Sequence, residues 1–390
     1  MKFADALRSF FTPPVLGNPG EEFAGTGYER ELEIKQKALE LFWQKNGIQG
    51  KPELIIRSPL SEGYRTTSRR RVFFSSGKLH FGFSENTGEK GVAFSVLEPD
   101  AHFRIYEFLY EKLNQDSFRA LSQALNWIII RGSYQYQTVI FNVHQMNASV
   151  VRKLKQIAEH IQKSPLRVTA AHVYFDPTHS DYYLEASRPA DALAFKSLYG
   201  AKLLSLKTGE IQLKYPVTGF SQINESQIPH LLETASRLLQ LEKSETLLDL
   251  YCGYGLFSFG LGKLAKSVCG VEWEGASIEC AKASARHYKL NYEFIAGRIQ
   301  ESFVKTTLSG KRFPAEVQLL DPPRQGSLEG VIPALAARAP KRVLHIFCGT
   351  DVIPSELKQW ERAGYRVQKA VPLDLFPRTM HLETMVLLTK

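Results

Sequence analysis

Leu247-Leu248-Asp249-Leu250-Tyr251-Cys252-Gly253-Tyr254-Gly255-Leu256-Phe257 decides the fold. The apolar run at its start reads as a buried strand. Gly253 and Gly255 read as a sharp turn, and the residues after them as the start of a helix. Glycines in such a turn let the backbone approach a ligand closely. The spacing excludes a dinucleotide fingerprint: Gly260 follows Gly255 by five residues, where that fingerprint needs three. No lysine placed to cradle a phosphate follows the turn, so the ligand need not carry phosphates.

Working outward from that stretch, strand-like runs alternate with helical ones. ETLLDLYC, SVCGVEW, YEFIAG, EVQLLDPP and RVLHIFCG each read as a strand. A helix is expected after every one except YEFIAG, which a gap follows. YRVQKAVPLDLF and HLETMVLLTK close the chain as two strands that can pair with each other. Alternation of this kind predicts a doubly wound, mostly parallel α/β sheet with a final antiparallel strand. The second strand ends at Glu272, and an acidic residue there can accept both ribose hydroxyls of an adenosine. S-adenosylmethionine fits such a site, being an adenosine with a sulfonium cation and no phosphates. A dehydrogenase or another nucleotide fold is the alternative on these residues alone. Asp321 ends another strand, before Pro322-Pro323-Arg324. The two prolines fix φ and stop the ladder, which holds Asp321 at the mouth of the sheet.

Ahead of this region the pattern differs. Residues 11–27 are rich in Pro and Gly and read as an irregular arm; a helix is expected from Tyr28 to about Asn46. Short strands are expected in RVFFSS, KLHFGFS, QTVIFNVH, RVTAAHVYF and DYYLEAS, with helices at Asp100–Leu113 and Val150–Ile161. They predict a smaller α+β domain of mostly antiparallel strands. Domain boundaries are expected at 1–63, 64–204 and 205–390. Tyr64 to Phe74 places Arg65, Arg69, Arg70 and Arg71 beside aromatic residues. Arginines neutralise phosphates and aromatic faces stack bases, so the stretch is a candidate RNA contact; a solvated basic edge strand is the plainer reading.

The chain has 390 residues, is 44% hydrophobic and carries a formal charge of +9, which permits a polyanionic partner without identifying one. Its longest apolar run, Ala124–Ile130, is far short of the ~20 residues of a membrane helix. Asp5 and Arg8 interrupt the N-terminus where a signal peptide is apolar. Four cysteines with no CxxC pair argue against a zinc site or a disulfide scaffold, and a reduced, cytoplasmic location is expected.

These residues resemble the RNA uracil-C5 methyltransferases that make 5-methyluridine in tRNA and large-subunit rRNA. The matching blocks are Phe220-Ser221-Gln222-Ile223-Asn224, Asp249 to Gly255, Val271-Glu272, Asp321 to Gly326, Cys348, and Asp374 to Glu383. The resemblance implies a Rossmann-like class I methyltransferase domain with a seven-stranded sheet, joined to a smaller RNA-binding domain. It implies S-adenosylmethionine as cofactor, held by Gln222, Tyr251, Gly253, Gly255, Glu272 and Asp321. It implies Cys348 as nucleophile and Glu383 as base, and RNA (tRNA or rRNA) as partner, with Arg65, Arg69, Arg70, Arg71 and Arg324 as candidate RNA contacts. A monomer is expected, with no metal and no membrane association. Because no cysteine precedes Cys252, no iron–sulfur cluster is expected, and no β-barrel module is expected ahead of Tyr28.

The chemistry explains these residue types. Uracil C5 is weakly nucleophilic. A thiolate adding to C6 makes an enolate whose C5 can take a methyl group, and a carboxylate then removes the C5 proton. Because a free thiol titrates near ~8.5, the surroundings of Cys348 are expected to activate it, through the start of the following helix. Two departures stand out. Family members commonly carry Ser-Cys-Asn-Pro where this chain has Phe347-Cys348-Gly349-Thr350. Gly297-Arg298 stands where an aspartate often meets the adenine. The changes around Cys348 keep open a weakened paralogue that binds or folds RNA, and a methyltransferase for another base is the third reading.

Overall fold

The computed structural model describes residues 1–13, 18–83, 91–179, 195–273, 275–311, 313 and 315–390. The strand expected in DYYLEAS, at 181–187, lies outside the described residues. Contacts divide the chain into two units. The first is Met1–Ser61, Leu206–Tyr215 and Ser226–Lys390; the second is Glu62–Ser205 and Pro216–Glu225.

Near the N-terminus, Phe3–Arg8 forms a short helix (α1) and Tyr28–Lys45 a long one (α2). Phe3, Leu7, Phe23, Ile34, Phe42 and Trp43 are buried in one core with Val343, Phe347 and Val386 of the large sheet. The residues read from sequence as an arm and a helix therefore belong to the first unit. Burying charge is costly unless it is paired, and α2 buries Glu31 and Lys35 completely. Lys35 Nζ lies 2.7 Å from Glu31 Oε1 and 2.8 Å from Asp374 Oδ1, so one cation faces two anions inside the core.

The second unit is built on six strands: β1 (Thr67–Ser75), β2 (Lys78–Gly82), β3 (Leu125–Gly132), β4 (Gln137–Val143), β5 (Val168–Phe175) and β6 (Phe195–Tyr199). Their spatial order is β2-β1-β3-β4-β5-β6. Every pairing is antiparallel except β4 with β5. The helix Asp100–Leu113 has the expected bounds. The second helix runs Ala148–Gln162, capped where Asn147 Oδ1 accepts the Val150 N–H at 3.0 Å. Its apolar stripe, including Leu154, Ile157 and Ile161, is buried as its spacing requires.

A hairpin, β7 (Leu203–Thr208) and β8 (Ile211–Pro216), precedes the large sheet. That sheet comprises β9 (Thr246–Leu250), β10 (Ser267–Glu272), β11 (Tyr292–Ala296), β12 (Glu316–Leu320), β13 (Arg342–Phe347), β14 (Arg366–Leu373) and β15 (Glu383–Thr389). Their order is β11-β10-β9-β12-β13-β15-β14. β9 to β13 are mutually parallel, and β15 runs antiparallel to both neighbours. The gap expected after β11 is instead helical, from Glu301 through Leu308. Among the described residues no helix is long and apolar enough to cross a membrane.

Lys35→Met removes the cation shared by the buried carboxylates of Glu31 and Asp374. It is expected to destabilise the chain by about 3–5 kcal/mol, measured by urea unfolding. An unchanged midpoint would show that the two carboxylates do not need it.

Candidate active site

Parallel strands of a doubly wound sheet end at one edge, and ligands sit beyond it. Leu250 is level with Val271 on one side and Leu320 on the other, so Tyr251, Glu272 and Asp321 leave the sheet together. Leu320 is level with His345 of β13. β15 returns alongside β13 with Phe347 level with Thr384. One further step along an antiparallel ladder sets Cys348 across from Glu383. Five of the expected site positions thus converge at one edge because of strand register.

The turn after β9 is tightly constrained. Tyr251, Gly253 and Gly255 all take positive φ, at 63°, 55° and 92°. Gly255 also lacks room for a side chain, since a Cβ there would lie 2.8 Å from the Phe259 ring. Glu272 is pinned to this turn: Oε2 accepts the Gly253 N–H at 3.0 Å, and Oε1 accepts the Trp273 N–H at 2.6 Å. Beneath it the Ser258 hydroxyl donates to Asp249 Oδ2 at 2.6 Å.

Carboxyl groups dominate the electrostatics. Burial pushes Asp249 up to about 7 against its Ser258 hydrogen bonds, with Glu272 adding to the rise. Burial, then Asp249 and Glu272, push Asp321 up to about 7. Glu383 is buried, and its Oε2 has no hydrogen-bond partner among the described residues. Burial and Asp321 hold it well above the usual carboxylate range, and Arg324 opposes them. The Cys348 thiol donates to the Pro322 carbonyl at 3.6 Å. Burial, then Glu383 and Asp321, raise the thiol far above its ordinary value, and the Arg324 guanidinium pulls it back. This differs from the expectation of a thiol activated by the following helix: burial, and after it Glu383 and Asp321, holds the thiol up.

Arg324 is therefore a cation that favours the charged forms of Cys348 and Glu383. It lies 5.4 Å from the Phe376 ring, with Nη1 3.5 Å from His381 Nε2. The two departures around Cys348 have physical explanations. Phe347 stacks on His345, with ring centroids 4.0 Å apart. Gly349 packs against the loop after β12, where a Cβ would lie 2.1 Å from the Arg324 carbonyl oxygen. Glu356, which the sequence reading passed over, supports the same loop. Its Oε1 accepts the Ser327 N–H at 2.5 Å, and its Oε2 lies 3.0 Å from His345 Nε2. Its signal was helical spacing, since it shares a face with Ile353, Leu357 and Trp360.

The remaining candidates lie in the second unit. Gln222 is half-buried on its 216–225 segment. Arg69 and Arg71 lie over the Trp127 ring, at 5.0 and 5.7 Å, while Arg65 is half-buried. Arg70 is a correction. Strand alternation turns it inward, where it is fully buried and pairs with both oxygens of Glu98 at 2.8 Å. It also lies over the rings of Phe83 and Tyr106, so it holds the domain together and is not available to RNA. Among the described residues no cluster of His, Cys, Asp or Glu could hold a metal.

Residues 185–390 match the family described as tRNA (uracil-5-)-methyltransferase. The chain belongs to that family. A Bacillus cereus protein named as an uncharacterized RNA methyltransferase is 33% identical over 194 residues, which is 50% of this chain and 42% of that protein. The chain thus spans less than half the length of that relative. A Lactobacillus johnsonii protein of the same name is 24% identical over 376 residues, or 93% of this chain and 80% of that one. The crystal structure of Pyrococcus abyssi tRNA (uracil-54, C5)-methyltransferase, in complex with S-adenosyl-L-homocysteine, shares the fold. Its TM-score is 0.70 at 21% identity, covering 95% of this chain and 86% of that one.

Two outcomes check the geometry. Gly349→Ala drives a methyl group into the Arg324 backbone and is expected to cost about 1–3 kcal/mol; a denaturation midpoint equal to wild type would refute the close approach. Alkylation of Cys348 near neutral pH reports its thiolate fraction, which changes roughly tenfold per unit of pKa. Glu383→Gln removes a raising charge and should speed alkylation, whereas Arg324→Ala should slow it. Rates that move together, or in the opposite sense, would show that these charges do not control the thiol.

Proposed function

We propose that the chain is an S-adenosylmethionine-dependent RNA methyltransferase that forms 5-methyluridine in tRNA or large-subunit rRNA. The observation that carries this reading is the register of β13 with β15, which sets a cysteine across from a buried carboxylate at the edge that also bears Glu272 and Asp321. A thiol opposite a general base is what addition to uracil C6 and removal of the C5 proton require.

The residues at the edge fit the cofactor. Glu272 is already oriented by two backbone N–H donors at the strand tip where ribose hydroxyls would bind. The positive φ of Gly253 and Gly255 suits a turn whose backbone a ligand approaches closely. Asp249, Glu272 and Asp321 crowd negative charge into a small space, and a sulfonium cation is the partner that relieves it. When bound, S-adenosylmethionine supplies the methyl group that C5 takes. Cys348 adds as the thiolate, its S–H proton having passed to solvent: the S–C6 bond forms while the C5=C6 electron pair shifts into the enolate, whose C5 takes the methyl group. Glu383 then takes the C5 proton, and the C6–S bond breaks to return the thiolate. Arg324 favours the charged forms of both groups. The target base must leave its stack to reach this edge, and Arg65, Arg69 and Arg71 are the candidate phosphate contacts that offset that cost.

Two measurements test the reading. RNA containing 5-fluorouridine is expected to form a denaturation-resistant crosslink with the wild-type chain and none with Cys348→Ala. Failure to trap fluorinated tRNA or rRNA, with cofactor bound, favours an RNA-binding paralogue. The second is pH-dependent. Asp249 and Asp321 hold protons up to about 7, and only their ionised forms attract a cation. S-adenosylmethionine affinity should therefore rise from about pH 6 to about pH 8, more steeply than that of S-adenosylhomocysteine, which lacks the sulfonium charge. Equal slopes by calorimetry would show that the carboxylates do not sense that charge.

A further inference from the structure

Arg378 has a left-handed backbone, with φ at 67°, five residues before Glu383. A residue with a side chain stays in that region only where its surroundings hold it. Part of the hold is a local turn, in which the Thr379 N–H and hydroxyl donate to the Phe376 carbonyl at 3.3 and 2.8 Å; a further set of holding groups comes from one place. The Arg378 N–H donates to Glu31 Oε1 at 2.8 Å, and its carbonyl accepts the Phe23 N–H at 3.0 Å. Its guanidinium donates to the Thr26 carbonyl, lies 3.5 Å from Glu31 Oε2 and sits over the Tyr28 ring. On one side of it, Lys35 Nζ donates to the Phe376 carbonyl at 3.3 Å and to Asp374 Oδ1 at 2.8 Å. On the other, Glu22 Oε2 accepts the Met380 N–H at 3.3 Å. Residues 22–35 thus grip the connection from β14 to β15 along most of its length.

We propose that residues 22–35 form a seat that positions Glu383 and that Arg378 is the positioning residue through which the seat acts. The inference rests on the reading of Glu383 as the base. A connection between strands is ordinarily the mobile part of a sheet, and here it delivers a reactive carboxyl group. After methylation, C5 carries both a methyl group and a hydrogen. Glu383 takes the proton, the C5–H electron pair becomes the C5=C6 double bond, the C6–S bond breaks, and sulfur leaves as thiolate. A displaced Glu383 stalls this step and leaves Cys348 bound to methylated RNA. Adduct formation at C6 does not use Glu383 as a proton acceptor, so it continues.

Arg378→Gly tests the seat without disturbing the turn, because glycine takes positive φ freely. Glu22→Ala, at a half-exposed position, removes a single contact and guards against a folding defect in the first variant. Each full chain is given S-adenosylmethionine and RNA containing ordinary uridine. Turnover and the fraction of denaturation-resistant complex are read together, with crosslinking to 5-fluorouridine RNA as the control. Turnover is expected to fall about tenfold to a hundredfold, while the covalent complex with ordinary RNA accumulates and crosslinking to fluorinated RNA keeps its wild-type rate. Turnover and crosslinking that fall together without accumulation would overturn the proposal, as would unchanged turnover in both variants. A wild-type chain that forms no crosslink would instead overturn the underlying reading of Cys348 and Glu383.

Discussion

The antiparallel pairing of β15 with β13 is the constraint on which the site depends. Neither Cys348 nor Glu383 is unusual as a residue. A parallel seventh strand would have carried Glu383 to the opposite edge of the sheet. Because β15 runs backwards, its first residue meets the residue after the end of β13, and Phe347 level with Thr384 fixes that meeting. Strand register is set by which face is buried, and a slip of one position would turn every side chain over. β13 and β15 are buried along nearly their whole length, so the core that stabilises the fold also fixes the geometry of the pair.

Electrostatically the edge is poised for a cation. Burial, and after it neighbouring carboxylates, raises the affinity of Asp249, Asp321 and Glu383 for protons, and burial followed by Glu383 and Asp321 keeps the Cys348 thiol protonated. A thiol left reactive in an empty site would be open to oxidation and to the wrong electrophile. In the proposed reading, the carboxylates that would attract a positively charged ligand add to burial in holding the Cys348 thiol up, and Arg324 opposes them. Charge neutralisation at Asp321 and release of Cys348 and Glu383 are therefore coupled through short-range Coulomb interactions.

The sheet was legible in sequence because its strands alternate with helices and end at Gly-rich or Pro-rich turns. Glu272, Asp321 and Cys348 could be placed because each ends or follows a strand. Arg70 was misread because composition ignores alternation: neighbouring strand residues face opposite ways, and its partner Glu98 is distant in sequence. The thiol was misread for a related reason. Local sequence suggests a helix start after Cys348, whereas Glu383 and Asp321 approach from other strands. Gly349 looked like a lost side chain until the Arg324 carbonyl was seen to occupy the space.

The N-terminal segment was the least legible part. Its Pro and Gly content suggests an irregular arm, and nothing local indicates that Glu31 and Lys35 face inward toward Asp374. The site's two strained residues with side chains explain why such a partner is needed. Tyr251 and Arg378 both have positive φ at the sheet edge. Tyr251 is held by its own neighbourhood, between the end of β9 and the pinned Gly253. Arg378 lies in a turn closed from Phe376 to Thr379, and residues 22–35 bind that turn from outside. Buried charge on α2 binds both its backbone and its guanidinium. The ion pairs around Lys35, weak as sources of net stability, therefore matter chiefly for where they place the chain that leads to Glu383.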